Sequence, residues 1–322
     1  MLIHREPWKY SGRTPEFFTG QAGCYCCPVS VGVYVCFYGI QAGATNVRDT
    51  DKYEVDAWTA KTDAPTPKRG DLGGASIEGV AYLYAGISDV SPFFQKDVYS
   101  YVQSSDTFTS KSDMTAHRSR MASTPIDGKA YSFCGLDSAF AKTRTSYQYT
   151  PGTDTWATKT DSPTPGRQFA RGFPINTDGF VVGGDDTGLL KDNDRYTPSS
   201  DSWTAKADLD TSGVDARTQH GAFAIDGKGY TVFGNLFFGT FTNETAEYDA
   251  GLDTWASIAT TVTTARYWVA SASLGGSAPG YASGGLAAAA SRLHDEFTPT
   301  SWTNRTDMPT PARYGHLALE SV

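Results

Sequence analysis

The sequence predicts an all-β fold made by repetition, and three observations predict it. One phrase recurs along the chain: DAWTAKTDAPTPKRG from Asp56, DTWATKTDSPTPGRQ from Asp154, DSWTAKADL from Asp201 and TSWTNRTDMPTPARYG near the end. Aligned on its aromatic residue, it falls at Trp8, Trp58, Phe108, Trp156, Trp203, Trp255 and Trp302, at intervals of 47 to 52 residues. Between these points lie short apolar runs bounded by turn residues, with little helical periodicity. A fixed period of this length marks a repeat architecture.

Three further anchors keep the same order in each period. A tyrosine stands seven residues before the aromatic at Tyr101, Tyr149, Tyr196 and Tyr248, and Tyr53 and Phe297 stand five before theirs. Apolar runs end in glycine at Gly39, Gly86, Gly135, Gly184, Gly234 and Gly285, and an arginine follows the Thr/Pro turn at Arg69, Arg118, Arg167, Arg217, Arg266 and Arg313. Turns at IDG 126–128, IDGKG 225–229, TPGTD 150–154 and TPSSD 197–201 complete four short strands per period, the content of a propeller blade.

We call the strands a to d from the axis outward. Strand a follows the arginine, b ends at the glycine, c carries the tyrosine and d the tryptophan. Strands b and c occur six times, whereas a and d can be matched seven times because the chain starts and ends in mid-repeat. A six-bladed ring, in which RYGHLALE joins Val33–Thr59 in the first blade, is the favoured closure. A seven-bladed ring with a thin closing blade also fits. Residues 1–30 then form an N-terminal arm or part of the closing blade, and 31–322 form the propeller. One blade cannot bury its own faces, so each Tyr and Trp is expected to pack between neighbouring blades.

These anchors resemble the kelch repeat, with its apolar strand ending in Gly or Gly-Gly, spaced Tyr and Trp, and turn with Pro and Arg. The resemblance covers nearly the whole chain. It departs in having a complete Gly pair only at Gly183–Gly184 and Gly284–Gly285, and in having Phe108 for a Trp. The phrasing Asp-x-Trp, Lys-Thr-Asp, Pro-Thr-Pro also resembles kelch-like proteins of tailed bacteriophages.

Composition narrows the function. A net charge of −8 gives no basic footprint for nucleic acid or an anionic membrane surface. No run reaches the roughly 18 apolar residues of a membrane helix. The start, MLIHREPWKYSGRTPEFF, has no apolar export segment. We therefore expect synthesis in a host cytoplasm and residence in a virion, the alternative being a cytoplasmic protein.

A meander places the six arginines and the b–c loops at one end of the blades. Loops GISDVSPFFQKD, GDDTGLLKDND and GNLFFGTFTNET carry Phe93, Phe94, Leu189, Leu190, Phe237, Phe238 and Phe241. Candidate binding residues are therefore Phe93, Phe94, Phe237, Phe238, Phe241 and the six arginines, against the plainer reading that the rings pack on their blades and the arginines tie down turns. Cys24, Cys26 and Cys27 read as buried thiols in strand a, in register with Gly73, Gly74, Ala222 and Ala270, rather than as metal ligands, since no second ligand pair follows. Asp185, Asp186, Asp192 and Asp194 read as a solvated loop rather than a calcium site.

The resemblance also includes enzymes, namely copper-radical sugar oxidases and sialic acid mutarotases. The histidines His4, His117, His220, His294 and His316 include no close pair for copper, and Arg217 with His220 or Arg313 with His316 is the nearest to an acid/base set. We expect no catalytic residues, no cofactor and no metal. The expected function is a structural or binding propeller engaging virion proteins or a host-surface glycan. Alternatives are a cytoplasmic kelch adaptor and a mutarotase-like enzyme.

Overall fold

A computed structural model describes residues 26–27, 33–41, 45–209, 214–237, 239–259, 264–273, 276, 279–315 and 317–321. They form six blades, five of them four-stranded antiparallel sheets and one a six-stranded sheet whose four main strands are antiparallel, and no α-helix. Among the described residues no helix is long and apolar enough to cross a membrane.

Blade one takes its inner strand from the C-terminal segment. Leu317–Ser321 pairs with Val33–Gln41, followed by Thr45–Glu54 and Ala57–Lys61. Blades two to six begin at the inner strands Gly73–Ile77, Ala122–Ile126, Arg171–Ile175, Gly221–Ile225 and Ala270–Ser273 and run outward in chain order. The inner strands succeed one another round an axis, with the C-terminal strand between those of blades six and two. The ring thus closes on six blades, by the chain's two ends pairing within one sheet. The anchor at Trp8 lies outside the described residues.

Cys26–Cys27 corrects the expected register. These two residues do not occupy strand a of the first blade, because the C-terminal strand already holds that place. They pair parallel to it, Cys26 opposite Ala318 and Cys27 opposite Leu319, and approach the inner strands of blades two, three, five and six. A segment that close to five inner strands lies inside the axial channel. Cys24 lies outside the described residues.

The two spacings of the aromatic anchors give one geometry. Tyr149 faces Trp156, Tyr196 faces Trp203 and Tyr248 faces Trp255 across the c–d hairpin, as do Tyr53 with Trp58 and Phe297 with Trp302 over a shorter turn. Their rings lie 5.0–5.2 Å apart. Each outer ring then meets the preceding blade, as Trp156 meets Tyr84, Trp203 meets Phe133 and Trp302 meets Phe233. Such pairs add about 0.5–1.5 kcal/mol beyond burial.

The recurring aspartate joins blade to blade. Asp154 sits at the c–d turn with φ 52°, a conformation that Asp tolerates better than most residues. Its Oδ1 accepts the Tyr149 hydroxyl at 2.7 Å and the Ser112 backbone N–H of blade two at 2.9 Å. The Trp156 Nε1–H donates to the Ser112 carbonyl at 3.0 Å. The same triad recurs at Tyr196, Asp201 and Trp203 on Thr160, and at Tyr248, Asp253 and Trp255 on Ala207. Tyr53, Asp56 and Trp58 repeat it on Thr306, across the closure. Blade six has Phe297 and no turn Asp, so tyrosine and aspartate are lost together. Its Trp302 donates instead to Thr245 Oγ1.

The glycine that ends strand b is required by its backbone. Gly135 has φ +92°, and a Cβ there would lie 2.5 Å from the Ser119 carbonyl oxygen. Its N–H donates to the Arg167 carbonyl of the next blade at 2.8 Å.

The join between blades six and one encloses His294. Tyr34, Tyr53, Trp58 and Tyr281 surround its ring at 4.2–5.3 Å. Its Nδ1–H donates to Ser283 Oγ, which donates to the Tyr34 hydroxyl. Burial, with Arg266 nearby, pushes the imidazole down to about 3.

Two outcomes are expected. Asp154→Ala removes two hydrogen bonds and lowers stability by about 2 kcal/mol in urea denaturation, whereas Thr153→Ala on the same exposed turn changes little. His294 is neutral when folded and titrates near its ordinary value when unfolded. Stability must therefore fall as pH drops from about 6.5 toward about 3, and His294→Gln should flatten that fall in denaturation curves collected across the range.

Candidate functional site at the axial mouth

The six repeat arginines are all buried. Arg69 grips Asp97 with two bonds of 2.6 Å and donates to the Ala85 carbonyl at 3.1 Å. Arg167 pairs with Asp194, Arg217 with Glu244, Arg266 with Asp295, and Arg313 with Asp49 and Asp51. Arg118 lacks a carboxylate and donates to the Tyr147 hydroxyl at 3.3 Å. These guanidinium groups hold the start of strand a against the start of strand c, and none lies open on the face.

The loop aromatics are placed differently from one another. Phe94 is buried, its ring edge-on to Phe140 of the next blade at 5.0 Å, so it is no surface anchor. Phe93 is half-buried, and Phe140, which sequence reading passed over, is 59% exposed. Phe241 stacks on Tyr267 at 4.4 Å. The Phe237 backbone lies in a small hairpin, Asn235–Phe237 with Thr240–Phe241, while its side chain and all of Phe238 lie outside the described residues.

The nearest acid/base set does not assemble. Arg217 is committed to Glu244, and His220 is fully buried, with its Cε1 where a side chain on Gly183 would stand. Burial and the charges of Arg171 and Arg217 keep that imidazole well below its ordinary value. His316 lies outside the described residues. In the acidic loop, Asp194 pairs with Arg167, and Asp185 takes bonds from Gln168 and Thr218 at 2.9 Å and lies 3.5 Å from Lys142.

What converges on the axis is the residue two places after each arginine: Asp71, Arg120, Phe169, Gln219, Trp268 and Gly315. All six have φ between 55° and 61°. Arg120 N–H donates to the Asp71 carbonyl, Phe169 to Arg120, Gln219 to Phe169, Trp268 to Gln219 and Gly315 to Trp268, at 2.8–3.4 Å. A belt of five backbone bonds thus runs round the mouth of the channel on the loop face, from Asp71 to Gly315. The left-handed conformation turns each N–H and C=O sideways toward the neighbouring blades, which is what a belt requires.

The backbone repeats here and the side chains do not. Phe169 and Trp268 belong to blades four and six, yet their rings are 6.0 Å apart, so both lean across Gln219 of blade five toward the axis. Tyr267 and Tyr314 pack on Trp268 at 4.6 and 5.8 Å and complete an aromatic crescent. The facing crescent is polar. Arg120 Nε donates to Asp71 Oδ2 at 3.0 Å and Nη1 to Gln168 Oε1 at 3.0 Å, and Gln168 continues to Asp185 and Thr218. The Arg120 guanidinium lies 4.7 Å over the Phe169 ring and joins the two halves. Below, Arg171 Nε donates to the His220 carbonyl at 2.6 Å.

Three buried polar atoms in this ring have no hydrogen-bond partner among the described residues: Asp71 Oδ1, Gln219 Oε1 and Trp268 Nε1. Asp71 is 0%, Gln219 5% and Trp268 2% exposed. Burial pushes the Asp71 carboxyl up to about 7, against the opposing pull of Arg120 and Arg171. An unpaired buried polar atom costs about 1–3 kcal/mol, so each of the three calls for a partner.

Comparison with protein-family models and with curated proteins finds no match. The fold is widely shared, with 407 similar chains of solved structure. One of them, YjhT, superposes with a TM-score of 0.68 at 14% identity, over 86% of this chain and 99% of its own. The chain is a six-bladed β-propeller. At that identity the likeness is one of fold and transfers no residue roles.

Asp71 gives this site a pH signature. Its folded carboxyl holds a proton that the unfolded chain releases near its ordinary value, so stability contributed by the protonated group is full below about 4 and lost as pH rises through about 7. Asp71→Asn should remove that decline in denaturation curves measured between those limits.

Proposed function

We propose that this chain is a recognition propeller without chemistry of its own, and that its working site is the axial mouth with the loops around it. One observation supports this reading most. The polar groups repeated from blade to blade are engaged in holding blades together, whereas the six axial residues share a backbone conformation but differ in side chain. Identity imposed by folding stops where side chains meet on the axis, and variation there fits selection by a ligand.

The phage-like wording of the repeat supports a place in a virus particle, with virion proteins or a host-surface glycan as the partner. Mass spectrometry of particles purified from the source tests this directly. The chain is expected among the particle proteins, and its absence from them would overturn the assignment.

A mutarotase-like reading has one observation in its favour, the carboxyl of Asp71 beside Arg120, which could exchange a proton near neutral pH. Exchange NMR of the anomeric protons of reducing sugars separates the two readings. The recognition reading expects exchange at the uncatalysed rate. Acceleration that disappears in Asp71→Asn would establish catalysis instead.

A further inference from the structure

We infer that the axial mouth binds a compact, neutral, hydroxyl-bearing molecule, held by Asp71 Oδ1, Gln219 Oε1 and Trp268 Nε1. This rests on the recognition reading above and gives that site a ligand class.

The argument starts from what the three atoms can do. Gln219 Oε1 is an acceptor and calls for a donor, whereas Asp71 Oδ1 donates when the carboxyl is protonated and accepts when it is ionised. Trp268 Nε1 is a donor and calls for one acceptor. In the order of the belt, Asp71 of blade two and Gln219 of blade five stand across the axis from each other, with Trp268 beside Gln219. One molecule between them must therefore donate to Gln219, accept from Trp268 and be able to do either toward Asp71.

Charge then selects among molecules. An anion would set an acceptor oxygen against Gln219 Oε1, itself an acceptor, and would find its one permanent donor among the three atoms in Trp268 Nε1. A cation would supply hydrogens but would face the guanidinium groups of Arg120 and Arg171 on the polar side. A hydroxyl both donates and accepts without charge, and several on one carbon frame answer all three atoms. The C–H faces of such a frame suit Phe169 and Trp268 on the aromatic side. Opposite Phe169 the sixth belt position is Gly315, which adds no side chain to the ring.

Cys26–Cys27 runs beside Ala318–Leu319, farther along the inner strand than Gly315, so part of the channel beyond the belt is taken up by the chain itself.

The test is a titration of ¹⁵N-labelled full-length chain with glycerol, myo-inositol, D-glucose and D-galactose, and with D-glucuronate as the charged control. The readout is the indole N–H resonance of Trp268, assigned by its loss in Trp268→Phe. At least one neutral polyol is expected to shift that resonance saturably, with glucuronate weaker. Gln219→Leu should weaken binding tenfold or more while leaving the fold intact or more stable, because it removes an unpaired buried polar atom.

Absence of any shift with all four polyols would overturn the inference, since solvent alone would then satisfy the three atoms. Binding undiminished in Gln219→Leu and in Asp71→Asn would overturn it equally. If Gln219→Leu fails to fold, Gln219→Glu keeps the acceptor and adds charge, and unaltered polyol affinity there also counts against it. The broader recognition reading fails separately, by absence of the chain from particles or by catalysed sugar exchange.

Discussion

The ring depends on a carboxylate at the outer turn that serves two blades at once. Asp56, Asp154, Asp201 and Asp253 each take a hydroxyl from their own blade's tyrosine and an N–H from the blade before. Asp106 does the same with Tyr101 and Thr62, although Phe108 has replaced the tryptophan. A charged acceptor makes hydrogen bonds about twice as strong as neutral ones, and here it also ends the strand with a backbone few other residues tolerate. Blade six shows the dependence from the other side, since tyrosine and aspartate are missing there together.

From that constraint follows the division of labour along each blade. The rim is held by the aspartate and tryptophan, the loop face by the buried arginine and its carboxylate, and the axis by the backbone belt. Between them, size is traded across neighbours. Phe173 of blade four fills the space beside Gly229 of blade five, and Phe223 of blade five that beside Gly280 of blade six, where a Cβ would lie within 2.4 Å of the ring. Substituting one member of such a pair overfills or empties a close-packed interface.

Reading by repetition found the strands, the order of the blades and the packing role of Tyr and Trp, because period and turn chemistry are local. It also directed attention to the six arginines and Phe94, which the fold buries. Residues that repeat six times do so because six equivalent interfaces need them, so five of the arginines are buried in ion pairs and Arg118 is buried against the Tyr147 hydroxyl. Asp71, Arg120, Phe169, Gln219 and Trp268 escaped because an alignment of anchors treats a column of unlike residues as noise. The signal available was their common place, two residues after each arginine.

Taken alone, the sequence determined that the chain is all β, that it repeats near fifty residues and that its ends meet, since hydrogen-bonded turns and alternating apolar strands are written within a single period. It also determined which face would carry the loops, because a meander must return to the same end. Tertiary structure decided the rest. It placed the C-terminal strand in blade one, so that Cys26–Cys27 became an occupant of the channel rather than a strand of the sheet. It brought Asp71 and Gln219 to opposite sides of one backbone belt from positions 148 residues apart. The physical reason is that period and turn are properties of neighbours along the chain, whereas convergence on an axis exists only after six blades have closed.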